Sequence, residues 1–174
     1  MLTVSRLDGP AALAAVPDLA TVLLDCVARG ASVGFMASLS RERAEAFWTG
    51  VAEGAARGDR RLLVATLAGE IVGTVQVVFA AQDNQPHRAE VAKMLVHGRH
   101  RRQGIGEALM AAAEQAARDA GRTVLVLDTG SDAAERLYAR AGWTRVGVIP
   151  GYALMPDGAP CDTVLFYKRL DASA

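Results

Sequence analysis

The sequence predicts a mixed α/β fold: a strand meander, then one strand–helix–strand crossover, then a helix and a hairpin. Three observations carry this. Apolar runs of strand length recur at Leu62–Leu67, Ile71–Ala80 and Glu90–Val96, separated by turn signals. A segment of helical period, Gly104–Ala120, leads into a continuous apolar run, Thr123–Leu127. Hydrophobic residues make up 51% of the 174-residue chain and charged residues 22%, a balance that builds a packed core rather than a disordered chain.

Taken in order, Leu2–Leu7 alternates and reads as a first strand. Asp18–Arg29 places Leu19, Val22, Leu23, Cys26 and Val27 at helical spacing. Gly30–Phe35 is a loop, with two glycines bracketing small residues. Ser40 is suited to N-cap a helix ending near Gly58. Leu62–Leu67 and Ile71–Ala80 form a hairpin through Ala68-Gly69-Glu70. Gln82–Arg88 is polar, contains Pro86 and reads as a loop; Glu90–Val96 is the next strand. His97–Gln103 is a basic loop. The helix Gly104–Ala120 carries Ile105, Leu109, Ala112, Ala116 and Ala120 on its expected stripe and stops at Gly121. Thr123–Leu127 reads as a parallel strand covered on both faces. Asp132 and Glu135 resemble a capping box for a helix to Ala141. Two strands follow, Thr144–Val148 and Val164–Arg169, joined by Gly151–Cys161 with its turn signal Pro156-Asp157-Gly158.

No repeat, low-complexity stretch or linker interrupts residues 1–174, so a single domain is expected, with its motifs between about residues 60 and 170. Formal net charge is zero, which leaves no overall field to hold nucleic acid or an anionic membrane. Cys26 and Cys161 stand alone, with no Cys-x-x-Cys pair or His/Cys cluster, so no metal is expected. Leu13–Leu24 is fairly apolar, but Pro17 and Asp18 interrupt it and no small-residue cleavage site follows. No apolar run reaches the length of a membrane span. These features point to a reducing cytoplasm.

The chemistry concentrates in Arg101-Arg102-Gln103-Gly104-Ile105-Gly106, between a strand and a long helix. Glycines let the backbone approach a phosphate, and a helix start offers unpaired N–H groups with partial positive charge. Arg99, Arg101 and Arg102 add local charge that the net balance hides. A dinucleotide site would place its glycines after the first strand, but here at least three strands precede them. An ATP phosphate loop would need Gly-Lys-Ser/Thr, which is absent. Nucleic acid would want interleaved aromatics, and there are none. The remaining reading is a solvated basic turn.

These residues resemble the GNAT family of acetyl-CoA-dependent N-acetyltransferases. The matching pieces are Glu90-Val91-Ala92-Lys93-Met94-Leu95-Val96, the loop Arg101–Gly106, and Ala134-Glu135-Arg136-Leu137-Tyr138-Ala139-Arg140-Ala141-Gly142-Trp143, with Trp143 where the family has Phe. Within the family the chain is most similar to the tabtoxin-resistance acetyltransferase type, through Ala89-Glu90-Val91, Leu127-Asp128-Thr129, Gly30–Phe35 and Pro150-Gly151-Tyr152. The resemblance implies a mixed sheet of about seven strands, splayed between 90–96 and 123–128, with the pantetheine arm of acetyl-CoA in the splay. It implies that main-chain groups near Leu95 and Val96 bind that arm and polarise the thioester carbonyl. It implies that the N–H groups of Arg101, Arg102, Gln103, Gly104, Ile105 and Gly106 hold the pyrophosphate, and that Ser131 stands where the family often has Asn.

The amine must lose a proton before it attacks, and a free alkyl ammonium has a pKa of about 10. On residues alone Glu90 is a solvent-facing strand-end glutamate; the resemblance makes it the base. Asp128 either binds the substrate ammonium and relays its proton or caps the next helix. Tyr138 either donates a proton to the departing thiolate, as a phenol with a pKa of about 10 can, or is a core aromatic with its hydroxyl tied off. His87, His97 and His100 read as surface residues, the last two within reach of phosphates. Cys161 lacks a marked partner base, so direct transfer is preferred over an acyl-cysteine. Trp48 reads as core. Phe35 reads either as core, like Trp48, or as bordering the acceptor pocket from its glycine loop, and Tyr152 is expected to border the same pocket.

The leading expectation is acetyl transfer to a primary amine of a small molecule, such as a toxin or antibiotic. A protein or peptide N-acetyltransferase and a non-catalytic acyl-CoA sensor are the alternatives; retention of Glu90 and Tyr138 argues against the sensor. The expected partners are a small amine, with no nucleic acid and no membrane. A homodimer through edge strands stays open.

Overall fold

Strand β1 (Leu2–Leu7) leads into three helices, α1 (Gly9–Ala14), α2 (Val16–Ala28) and α3 (Arg41–Arg57), in the computed structural model, which describes residues 1–170. The last part of the expected 1–174 domain, residues 171–174, lies outside the described residues. Then come β2 (Arg60–Leu67), β3 (Glu70–Phe79) and β4 (Arg88–Val96), a short 3-10 turn at Gly98–His100, and α4 (Ile105–Asp119). The chain closes with β5 (Val124–Thr129), α5 (Asp132–Arg140), β6 (Thr144–Leu154) and β7 (Pro160–Arg169).

The seven strands form one mixed sheet in the order β1-β2-β3-β4-β5-β7-β6. Only β4 and β5 run parallel, because α4 crosses between them; every other neighbouring pair is antiparallel. The sheet is covered on both faces. On one, α4 buries Ile105, Leu109, Met110, Ala113 and Ala117 against Val75, Val77, Val91 and Leu125. On the other, α2 and α3 bury Leu19, Leu23, Cys26, Trp48 and Val51 against Leu62, Val64 and Leu95.

Several expectations need correction. Helix α1 was not foreseen, although Asp8 caps it by accepting the Ala11 N–H at 3.0 Å and Pro10 sits in its first turn. Helix α2 starts at Val16, two residues before the expected Asp18, with Pro17 in its first turn. The buried stripe of α4 runs through Ala113 and Ala117 rather than Ala112 and Ala116, which are only partly buried. In a helix this rich in alanine, the strands beneath choose the face. Helix α5 is capped by Ser131, which accepts the Ala134 N–H at 3.4 Å, so Asp132 and Glu135 sit in its first turn rather than forming the cap. Strand β5 is not covered on both faces: Leu125 and Leu127 are buried, Val124 and Val126 partly so, and Asp128 is exposed. The β6–β7 hairpin is longer than expected, with its tip at Met155–Ala159. A register shift between Ile149 and Ala153 lets Pro150-Gly151-Tyr152 pass through β6, where the Gly151 N–H donates to Asp162 at 2.8 Å.

Candidate active site

The parallel pairing of β4 and β5 is short. Arg88 faces Val124, Ala89 faces Leu125 and Glu90 faces Val126, and there it stops. From Val91 and Leu127 onward the two strands separate, opening a cleft in the middle of the sheet. Strand β4 keeps its other edge on β3, but with a bulge: Gln76 faces Ala92 and Thr74 faces Leu95, so Lys93 and Met94 share the place opposite Val75. Lys93 takes the left-handed backbone at φ +50°, unusual for a side chain of its length. The bulge explains how Val91 and Leu95, four residues apart, bury on opposite faces of the sheet.

The basic loop leaves β4 at the open end of the cleft. Gly104 sits at φ +76° and caps α4 with no side chain, so among the described residues the N–H groups of Ile105, Gly106 and Glu107 at the helix start have no side-chain acceptor. Arg102 also has positive φ, at +62°, and together these residues wind the backbone into a concave turn. The Arg101 side chain folds inward instead of outward: Nε donates to the Val96 carbonyl at 3.3 Å, and the guanidinium ends 4.0 Å from Cys26 Sγ. Arg102, Gln103 and Gly104 are exposed.

Asp25 holds this loop from α2. It accepts the Gly98 N–H at 2.7 Å and the Arg29 guanidinium at 3.0 Å, and it faces His97 Nε2 at 3.6 Å. Burial pushes its carboxyl up, but the Gly98 N–H, Arg29 and His97 outweigh it and leave the pKa below the ordinary value. His97 is therefore not the surface residue expected: its side chain is 12% exposed and turned towards Asp25. Only the loop geometry reveals this role of Asp25, which in sequence is one polar residue of an amphipathic helix.

Glu90 and Asp128 lie on the same face of the sheet, with Asp128 two residues further along β5 than Val126, the partner of Glu90. Both are exposed. Asp128 does not cap α5; it accepts the Thr163 hydroxyl of β7 at 2.7 Å. Lys93 reaches this face as well, feeling the fields of Asp128 and Glu90. Tyr138 projects from α5 into the core between Trp143 and Phe166, its ring centroid 6.1 and 5.7 Å from theirs. Its ring is buried, yet its hydroxyl donates to no other described residue. Ser131 spends its hydroxyl on the α5 cap.

The loop 30–37 is tied to the tip of the β6–β7 hairpin. Ser32 donates to the Leu154 carbonyl at 3.1 Å, and the Ala37 N–H donates to Pro156 at 3.0 Å. Phe35 is partly buried and meets Phe47 edge-on at 5.2 Å, whereas Tyr152 is exposed. Cys161 is buried with its thiol on the Asp162 carbonyl at 3.3 Å, and Trp48 is fully buried, as expected of a core residue. Among the described residues no group of His, Cys, Asp and Glu is placed to hold a metal ion.

Residues 29–143 match the profile of the Acetyltransferase (GNAT) family. The chain belongs to this family. A GNAT protein of this class is an acetyl-CoA-dependent acetyltransferase, and the cleft suits that cosubstrate: the strand splay leaves room for a narrow arm, and the uncapped start of α4 faces outward where a pyrophosphate would sit. An uncharacterized N-acetyltransferase from the hisH–hisA intergenic region of Azospirillum brasilense is 35% identical over 113 residues, which is 64% of this chain and 66% of that protein. The match therefore spans just under two-thirds of that relative. Among solved structures, a ribosomal-protein-alanine N-acetyltransferase from Brucella melitensis is similar at a TM-score of 0.80 and 22% identity, covering 97% of this chain and 99% of that one. A GNAT-superfamily phosphinothricin acetyltransferase from Sinorhizobium meliloti, solved with acetyl-CoA, is similar at 0.79 and 16% identity, covering 97% and 88%. At these identities the likeness to both is one of fold. No described helix of this GNAT chain is long and apolar enough to cross a membrane.

Proposed function

We propose that this protein transfers the acetyl group of acetyl-CoA to the primary amine of a small molecule by direct attack, in the manner of the tabtoxin-resistance type, and so disarms an amine-bearing toxin or antibiotic. It acts as a single domain in the cytoplasm. The observation that carries the small acceptor is the pair of hydrogen bonds from Ser32 and Ala37 to the β6–β7 tip. They bridge the two segments that border the acceptor side and favour a closed pocket over the open groove that a protein tail needs.

Acetyl-CoA supplies an activated acyl group on a thioester. In this reading Arg101 to Gly106 bind its pyrophosphate through main-chain N–H groups, and main-chain groups near Leu95 and Val96 polarise the carbonyl. Ser131, whose oxygen accepts the Ala134 N–H, keeps its O–H free to donate one hydrogen bond to the cosubstrate. Glu90 accepts the proton of the incoming ammonium, directly or through water. Asp128, fixed by Thr163, holds that ammonium by opposite charge. Tyr138 offers its proton on the sulfur side, which a free hydroxyl permits. Phe35 and Tyr152 border the amine's substituent. Likeness of fold does not separate a peptide acceptor from a small one, since the two structures compared above act on different acceptors by name.

The test is an acceptor screen that follows free thiol release from acetyl-CoA, with β-lactam amino acids, aminoglycosides, polyamines, free amino acids and N-terminal peptides. Turnover of one or more small amines is expected. Acetylation of peptides alone would overturn the reading.

A further inference from the structure

The chain has two lysines, and they differ sharply in their surroundings. Lys168 is fully engaged: its Nζ lies 2.8 Å from both Glu114 carboxylate oxygens and 2.6 Å from the Ala141 carbonyl. Lys93 makes no hydrogen bond or ion pair with a described residue, although it is partly buried. The β4 bulge turns it beneath the loop 30–35. Its Nζ lies 3.5 Å from where a Cβ on Gly34 would stand and 5.8 Å from the centre of the Phe47 ring. Burial pulls its pKa down, opposed by Asp128 and then Glu90.

A desolvated ammonium with three N–H donors and no acceptor is costly to keep. Asp128 accepts the Thr163 hydroxyl, and among the described residues no carboxylate approaches Lys93 closely enough to pair. The residue also holds a strained backbone at the one irregular point of the strand that leads into the cleft, and such strain concentrates where function needs it. An anion arriving with the acceptor would satisfy these donors. An α-amino acid carries both signs across one carbon, which matches a face that sets Lys93 beside Asp128 and Glu90.

We propose that Lys93 is the anion-recognition residue of the acceptor pocket, and that the acceptor carries a carboxylate next to the amine that is acetylated. Lys93 holds the carboxylate while the acidic pair faces the ammonium, so the amine is presented to the cleft in one orientation. This rests on the small-amine reading above and narrows it to zwitterionic acceptors.

The experiment compares wild type with Lys93→Met and Lys93→Arg, using acetyl-CoA and matched probes: L-methionine, L-methioninamide and 3-(methylthio)propylamine, with the corresponding phenylalanine and glutamine sets. Wild type is expected to favour the free acids, mainly through KM. Lys93→Met should lower kcat/KM for the acids about tenfold or more, as loss of a charge-assisted contact does, and leave the amides and amines within threefold. Lys93→Arg should restore much of the loss. Acetyl-CoA affinity and melting temperature report that the variants fold. If wild type takes amines and amides as readily as acids, the small-amine reading stands and this proposal falls. An equal loss of kcat on all probes also overturns it, by making Lys93 part of the proton path. Turnover of peptides with none of the probes overturns both.

Discussion

The phenol of Tyr138 is pushed up to about 12, first by burial and then by the field of Asp128. It is therefore protonated across the neutral range, as a proton donor must be. Tyr138→Phe removes only the oxygen, so acetyl-CoA binding should persist while turnover falls about a hundredfold. Turnover within twofold of wild type assigns the residue to packing with Trp143 and Phe166. The same shift has a consequence for stability. A raised folded-state pKa means that the neutral phenol stabilises the fold fully below the unfolded value near 10, and that this stability is lost as pH rises towards about 12. Urea midpoints taken between about pH 9 and 11.5 should show wild type losing up to about 2 kcal/mol more than Tyr138→Phe over that span. Parallel curves for the two proteins would contradict the burial argument.

The anion site proposed at the start of helix α4 rests on backbone geometry more than on side chains. Gly104 has nothing within 4 Å of where a Cβ would stand, so a substitution there meets no clash; the obstacle is its φ of +76°. A β-branched residue avoids that region strongly. Gly104→Val should therefore displace the loop and abolish acetyl-CoA binding, while the domain stays folded because α4 packs through Ile105, Leu109 and Ala113. Unchanged affinity by calorimetry in a folded variant would remove the loop from the binding site. Asp25 and Arg101 brace the same loop, from α2 and from within it. Neither is hydrogen-bonded to Gly104, so the two kinds of support are separable by mutation.

Across the whole molecule, one buried charge cluster joins the crossover helix to the C-terminal hairpin. Glu114 of α4 accepts Lys168 of β7 at 2.8 Å and the Trp143 indole N–H at 3.0 Å, and Arg118 lies 3.7 Å away. This explains how Trp143 stands where the resembled family has Phe: its extra N–H is given a partner. Lys168→Met leaves a buried carboxylate short of its main cation and should cost about 3 kcal/mol of unfolding free energy. The cluster lies on α4 well beyond the helix start, so acetyl-CoA affinity of the folded fraction should not change. A midpoint shift below about 0.5 kcal/mol would show the pair to be dispensable.

Elements were legible in the sequence wherever local signals were strong. Ser40 and Gly58 bracket α3, strict apolar runs mark β2 and β3, and the glycine-basic loop marks the start of α4. The glycine-capped start of α4 was readable because it is made of consecutive residues whose backbone freedom is written in their identity. What the sequence could not decide was everything that depends on how separate elements meet. Which alanines of α4 face inward follows from the strands below it. That Asp128 binds Thr163, 35 positions away in the chain, follows from β5 lying beside β7. In sequence Val91 and Leu95 fit a regular alternation, and nothing there marks Lys93 as the site of a bulge. Only the pairing of β4 with β3 reveals the bulge that turns its ammonium under the Gly30–Phe35 loop. Local identity determines conformation, but side chains distant in sequence become neighbours only through the sheet, and the acceptor side proposed for this cleft is made of such neighbours.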